Sequence, residues 1–187
     1  MSRKAYKENI NQLLETIDSV LQTKSILPSL ILIYSGIDIM AWLSRDKSHQ
    51  DNTRSDFKDW VNVYLLPDSG LNCNADDLYA ARCSILHSYT SESKMSREGE
   101  AREIYYAWGT ADRRQFQKYI DISSKRGKGI VLSVDTLNSA FKTAIERFNK
   151  ASNKNTSLSK LVSKRAAKFF VVSQARLYDN QVLNESA

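Results

Sequence analysis

Residues 26–43, ILPSLILIYSGIDIMAWL, form the longest apolar stretch of the chain, and the fold is built around them. Asp38 is the only charged residue in this stretch. Pro28 suits the first turn of a helix, where its missing N–H is not needed. Polar residues such as Ser35 interrupt the stretch, whereas a bilayer span needs about 20 predominantly apolar residues. The stretch therefore predicts a buried helix over about 29–43, in the middle of a bundle.

Helical periodicity recurs on both sides of this segment. Apolar residues return at steps of three and four, which is the pattern of amphipathic helices. Asn74 is a suitable N-cap for one of them, and Pro67 ends the one before it. The predicted helices cover about 4–22, 57–65, 75–89, 111–123, 137–148 and 157–178.

Two short β-branched or aromatic runs, about 104–108 and 129–132, are predicted strands. They are expected to pair, but periodicity leaves the direction of pairing open. The predicted fold is mainly α: a helical bundle with a small two-stranded β element around residues 104–132. We expect a single domain over 1–187, with a bundle core at about 1–90 and the β element and C-terminal helices at about 101–187.

Composition narrows the classes of function. The 187 residues carry a net charge of +6, which permits an anionic partner such as a nucleic acid. Cys73 and Cys83 are too few for a disulfide framework, and no apolar leader opens the chain, so a cytoplasmic location is expected. No dinucleotide, Walker A, zinc-protease, nucleophile-elbow or EF-hand motif is present, so neither cofactor nor metal is expected.

Arg82 falls inside the apolar arc of the helix predicted at 75–89. A guanidinium in such a place needs a partner charge, or it faces a cavity or an interface. Asp38 is the obvious internal partner, because it is also an isolated charge in an apolar helix. The alternative is an anion site, because the guanidinium fork matches phosphate oxygens.

His87 lies at the edge of the same apolar arc, five residues after Arg82. Five steps correspond to about 140° on a regular helix, so the two side chains are expected to converge only if the helix frays or bends or a second chain completes the site. His49, the other histidine, lies in the polar segment SRDKSHQDN and is expected at the surface.

The segment RCSILH, residues 82–87, resembles the Arg-x4-His motif of the HEPN superfamily. These proteins are small helical bundles that usually dimerise, and members with an intact motif are typically metal-independent ribonucleases in toxin–antitoxin, abortive-infection and CRISPR systems. The resemblance implies that Arg82 holds the scissile phosphate and that His87 is the general base or acid. It also implies that two such sites meet across a homodimer interface. Asp38 and Ser84 are candidate supporting residues.

The last predicted helix carries a basic stripe. Lys160, Lys164 and Lys168 follow each other at four-residue steps, with Arg165 nearby. Such a stripe is either a solvated helix face or a surface that follows a nucleic-acid backbone.

Two functional hypotheses remain. The first is a metal-independent endoribonuclease of the toxin or phage-defence type, acting on RNA as a homodimer. The second is a non-catalytic binding module for a cognate protein or a nucleic-acid backbone. Neither involves a membrane. Exposure of Arg82 in a groove beside His87 favours the enzyme, whereas a closed Arg82–Asp38 contact remote from any cleft favours the module.

Overall fold

A computed structural model describes residues 2–45 and 51–169 of the chain. The fold is mainly helical, with one two-stranded sheet in that part of the chain, as predicted. In chain order the elements are α1 (Ser2–Gln22), α2 (Ile26–Ser44), α3 (Arg54–Trp60), α4 (Ala75–Ser88), α5 (Lys94–Arg97), β1 (Glu103–Ala107), α6 (Arg113–Ile120), β2 (Gly129–Ser133), α7 (Val134–Lys154) and α8 (Thr156–Ala166).

Helix α2 is the centre of the bundle. It packs against α1, α3, α4, α7 and α8, and Ile33, Ile37 and Met40 on it are fully buried. A Cβ atom at Gly36 would lie 2.5 Å from Cζ of Phe141, so only glycine allows α7 to approach this closely. Because α7 and α8 complete the bundle, its core extends beyond the region of about 1–90 expected from the sequence.

Helix α2 also has the length and hydropathy of a membrane span, and half of that window is buried within the bundle. Core helices of globular proteins meet the same criterion, so length and hydropathy alone do not separate the two cases.

The two strands pair in parallel, with Glu103 opposite Gly129 and Ala107 opposite Ser133. Parallel neighbours require a crossover connection, and α6 supplies it. The Gln117 side chain on α6 fastens the helix to the sheet. Its Nε2 donates to the Gly129 carbonyl over 3.1 Å, and its Oε1 accepts from the Val131 N–H over 2.8 Å.

Some boundaries differ from the predictions. Helices α3 and α6 each continue into one π-helical turn, at Val61–Leu65 and Asp121–Lys125. A short helix, α5, lies between α4 and β1, where the sequence predicted no helix. Helix α8 ends at Ala166, so the helix predicted to 178 is wrong over residues 167–169, and the part of that prediction over 170–178 lies outside the described residues.

Candidate functional site

Helix α4 carries the motif residues, and its start is well defined. Asn74 and Asp77 form a capping box, in which each side chain accepts the backbone N–H of the other residue over 2.9 and 3.0 Å. Leu78 and Ile85 are buried against the bundle. This packing sets the rotation of the helix and turns Arg82 towards α2.

Arg82 and Asp38 form an ion pair, which is one of the two alternatives that the sequence left open. Arg82 Nε donates to Asp38 Oδ2 over 2.7 Å, and only 24% and 20% of the two side chains are exposed. Burial raises the pKa of Asp38 above its ordinary value, although the hydrogen bond and charge of Arg82 act in the opposite direction. For Arg82, burial is the largest effect and favours a lower pKa, but the hydrogen bond and charge of Asp38 together with the interaction with Cys83 outweigh it, so the pKa is raised.

His87 meets Arg82 without any break in the helix. Arg82 Nη1 lies 3.4 Å from His87 Nε2, and α4 remains helical as far as Ser88. Fraying or a second chain is therefore not needed, because the long arginine side chain spans the five-residue offset. Arginine can only donate, so a hydrogen bond between these two atoms would need Nε2 as its acceptor, with the ring proton on Nδ1. The imidazole is exposed to solvent.

The ion pair opens into a groove of 580 Å³ between α1, α2 and the segment that follows α8. Much of its lining is apolar, and His87 stands beside Arg82 without lining the groove itself. The lining residues are Asn9, Ile10, Leu13, Asp38, Ile39, Trp42, Asn52, Arg82, Lys168 and Phe169. The Arg82–Asp38 contact is thus closed as a pair but is not remote from a cleft.

Two aromatic rings shape one part of the groove. Trp42 and Phe169 stack with their centroids 6.3 Å apart and their planes inclined by 29°. Trp42 lies one helical turn after Asp38 on α2, and this spacing is the sequence signal that would have placed it near the pair. Sequence reasoning did not single out Trp42 or Asn9 for the site, because the groove draws them from separate elements.

The four basic residues of the last helix separate in the structure. Lys160 and Lys164 are exposed on α8, whereas Lys168 lies beyond its end and lines the groove. Arg165 is buried, and its Nη1 donates to the carbonyls of Trp42, Leu43 and Arg45 over 3.2, 3.1 and 2.6 Å. Arg165 therefore caps the carboxyl end of α2 and is not part of the exposed lysine surface.

Ser84 does not contribute a free hydroxyl. It is buried at 2% exposure, and its Oγ donates to the Ala81 carbonyl over 3.0 Å. This hydroxyl satisfies the backbone of its own helix rather than supporting Arg82. His49 lies outside the described residues.

Within residues 2–45 and 51–169, no cluster of three or more His, Cys, Asp or Glu side chains is arranged to hold a metal ion. The site thus consists of one guanidinium, one carboxylate, one imidazole and an ammonium group, beside stacked aromatic rings. Comparison of the chain with protein-family models, with curated proteins and with solved structures found no match.

Proposed function

We propose that this protein is a metal-independent endoribonuclease that binds a phosphodiester of RNA at Arg82 and cleaves it with the help of His87. The observation that carries the proposal is the position of Arg82. Its guanidinium lines an open groove, is held by Asp38 at 2.7 Å, and has the His87 imidazole 3.4 Å from its Nη1.

Asp38 orients the guanidinium in this proposal. Its carboxylate occupies Nε, so the plane of the guanidinium is defined before any substrate arrives. A guanidinium held in this way binds phosphate oxygens as a rigid fork and stabilises the charge that accumulates on them in the transition state. Lys168 in the same groove adds a second positive charge for the neighbouring phosphate.

His87 is suited to the proton transfer. With its proton on Nδ1, the imidazole has a lone pair on Nε2, and this lone pair can act as a general base once a bound phosphate draws the Arg82 guanidinium away from it. The base takes the proton of the ribose 2′-hydroxyl, and the 2′-oxygen forms a bond to phosphorus. The bond from phosphorus to the 5′-oxygen breaks, and this oxygen takes a proton from water. The hydroxide left from that water takes the proton from His87, which returns the imidazole to its neutral form. The products are a 2′,3′-cyclic phosphate and a 5′-hydroxyl.

The second candidate function is a non-catalytic binding module. It is favoured by the same ion pair, because Asp38 neutralises Arg82, and by the apolar lining at Ile10, Leu13 and Ile39. Such a groove suits an apolar side chain of a cognate protein more than a phosphate. The homodimer and the toxin or phage-defence role belong to the first proposal and are supported by the resemblance of the motif, whereas the proposed cytoplasmic location is supported by the low cysteine content.

Labelled single-stranded RNA incubated with the purified protein in EDTA tests the proposal. We expect cleavage that leaves 2′,3′-cyclic phosphate ends, and we expect His87→Ala to abolish it. His49→Ala is the matched control, because His49 is the only other histidine, and it should cleave like the parent. Arg82→Lys keeps the charge but loses the fork, and we expect it to cleave more slowly.

Absence of cleavage by the folded parent would overturn the nuclease proposal and favour the binding module. Cleavage by His87→Ala at the parental rate would show that His87 has no role in the chemistry.

A further inference from the structure

A second cleft lies where the start of α1 meets the end of α7 and the start of α8. Its volume is 520 Å³, and it shares no lining residue with the groove at Arg82. The lining is mainly polar. It consists of Arg3, Tyr6, Lys7, Asn149, Ser152, Asn153, Ser159, Val162 and Ser163.

The charges in this cleft have one sign. Arg3 and Lys7 line it, and no aspartate or glutamate does. Within the described part of the chain, neither cation forms a salt bridge, whereas the neighbouring Lys4 pairs with Glu8 over 3.7 Å. The cleft therefore concentrates positive charge that the protein itself does not neutralise.

The hydrogen-bonding groups in the cleft also favour an anion, because acceptor atoms are occupied and donor groups are left. Oδ1 of Asn153 accepts from Arg3, and Oδ1 of Asn149 accepts from the Tyr6 hydroxyl over 2.7 Å. Each of these bonds occupies the acceptor of an amide and leaves its two N–H donors. Burial raises the pKa of Tyr6, so the phenol stays neutral and adds no negative charge.

Serine hydroxyls complete the set of donors. Ser152, Ser159 and Ser163 line the cleft, and their hydroxyls form no side-chain hydrogen bond to any described residue.

The helix ends do not determine whether the cleft prefers an anion or a cation. The carboxyl end of α7 brings a partial negative charge and the amino end of α8 a partial positive charge, and these offset each other. The side chains of Arg3 and Lys7 therefore determine the preference for an anion.

We propose that this cleft binds a phosphomonoester carried by a small hydroxylated molecule, such as a sugar phosphate or a mononucleotide. Arg3 and Lys7 hold the phosphate, and the amide and serine groups bond to the hydroxyls of the rest of the ligand. The volume is within the range of small-molecule sites and exceeds what one phosphate needs. The proposal is independent of RNA cleavage at Arg82.

Isothermal titration calorimetry of the full chain with four probes tests this site: ribose 5-phosphate, adenosine monophosphate, ribose and inorganic phosphate. We expect both phosphomonoesters to bind more tightly than inorganic phosphate, and ribose not to bind. Arg3→Gln and Lys7→Gln should each weaken binding by roughly tenfold or more, because each removes a charge-assisted hydrogen bond. Lys4→Gln is the matched control on the same helix and should bind like the parent.

Three outcomes would overturn the proposal. The first is that neither phosphomonoester binds at millimolar concentration to protein whose thermal unfolding is intact. The second is that Lys4→Gln weakens binding as much as Lys7→Gln, which would indicate a general charge effect. The third is that inorganic phosphate binds as tightly as ribose 5-phosphate, which would show that the sugar does not contribute to binding. Ser159→Ala, which changes no charge, should weaken ribose 5-phosphate binding more than phosphate binding.

Discussion

Replacing Arg82 by methionine removes the guanidinium, keeps a long apolar stem, and leaves the Asp38 carboxylate without its partner. Asp38 is only 20% exposed, so water compensates for the loss only in part. Breaking a fully buried pair costs about 3–5 kcal/mol. For this pair, which retains some contact with water, we expect Arg82→Met to lower the free energy of unfolding by about 2 kcal/mol.

The other corners of the double-mutant cycle follow from the same geometry. Asp38→Leu leaves the arginine, whose flexible side chain reaches solvent, so we expect a loss of about 1 kcal/mol. The double variant places two apolar side chains beside the apolar lining and should also lose only about 1 kcal/mol. The coupling energy of the pair is then about 2 kcal/mol. This lies between the gross Coulomb energies at 4 Å of about 1 kcal/mol in water and about 4 kcal/mol near a protein surface.

The pH dependence has a defined sign. Burial raises the folded-state pKa of Asp38 above its unfolded value. Ionisation of this carboxyl therefore lowers the free energy of unfolding as the pH rises from the unfolded pKa to the folded pKa. Without Arg82 the pKa rises further, since the guanidinium is what lowers it. The loss of unfolding free energy caused by Arg82→Met should therefore be largest at pH 7. It should become smaller as the pH falls towards the unfolded-state pKa of aspartate, about 4, where the carboxyl binds a proton.

Urea unfolding followed by circular dichroism, at pH 7 and near the unfolded-state pKa of about 4, measures the free energy of unfolding of the parent, the two single variants and the double variant. The exposed pair Lys4–Glu8 is the matched control, and its cycle should give a coupling of only about 0.3–0.5 kcal/mol. If the coupling of Arg82 with Asp38 is no larger than that of the control, or if the deficit of Arg82→Met does not change with pH, the description of this ion pair is wrong.

Three further predictions concern the frame around the site, each measured by urea unfolding. Gly36→Ala should lose about 2 kcal/mol, since the overlap with Phe141 outweighs the gain in helix propensity, and Phe141→Leu should restore part of it; a stabilised Gly36→Ala would contradict the close packing. Arg165→Met should lose about 2–3 kcal/mol because the carbonyls of Leu43 and Arg45 lose this donor, while the Trp42 carbonyl keeps Arg45 Nη1, and an unchanged midpoint of unfolding would refute this cap. Gln117→Leu should lose about 1–2 kcal/mol by freeing the Val131 N–H, and parental stability would mean that the bond has no net effect.

The sequence alone was enough to predict local features of this protein, such as helices, strands and a helix cap. Apolar periodicity located the longer helices, and β-branched or aromatic runs located both strands, because these patterns are properties of neighbouring residues. Asn74 was recognised as an N-cap for the same reason. The pairing of Arg82 with Asp38 was one of the two alternatives that the sequence left open, because each is an isolated charge in an apolar face and burial makes an unpaired charge costly.

What depends on distant residues was decided only by the tertiary structure. The parallel direction of β1 and β2 follows from the crossover through α6, which periodicity does not encode. Arg165 and Lys168 are three residues apart in the sequence, yet one caps α2 and the other lines the groove. The contact between Arg82 and His87 likewise overturns the expectation that the two side chains converge only if the helix frays or bends or a second chain completes the site. The reason is physical: the wheel describes where a side chain leaves the backbone, whereas the end of a long, flexible side chain is placed by the packing of elements around it.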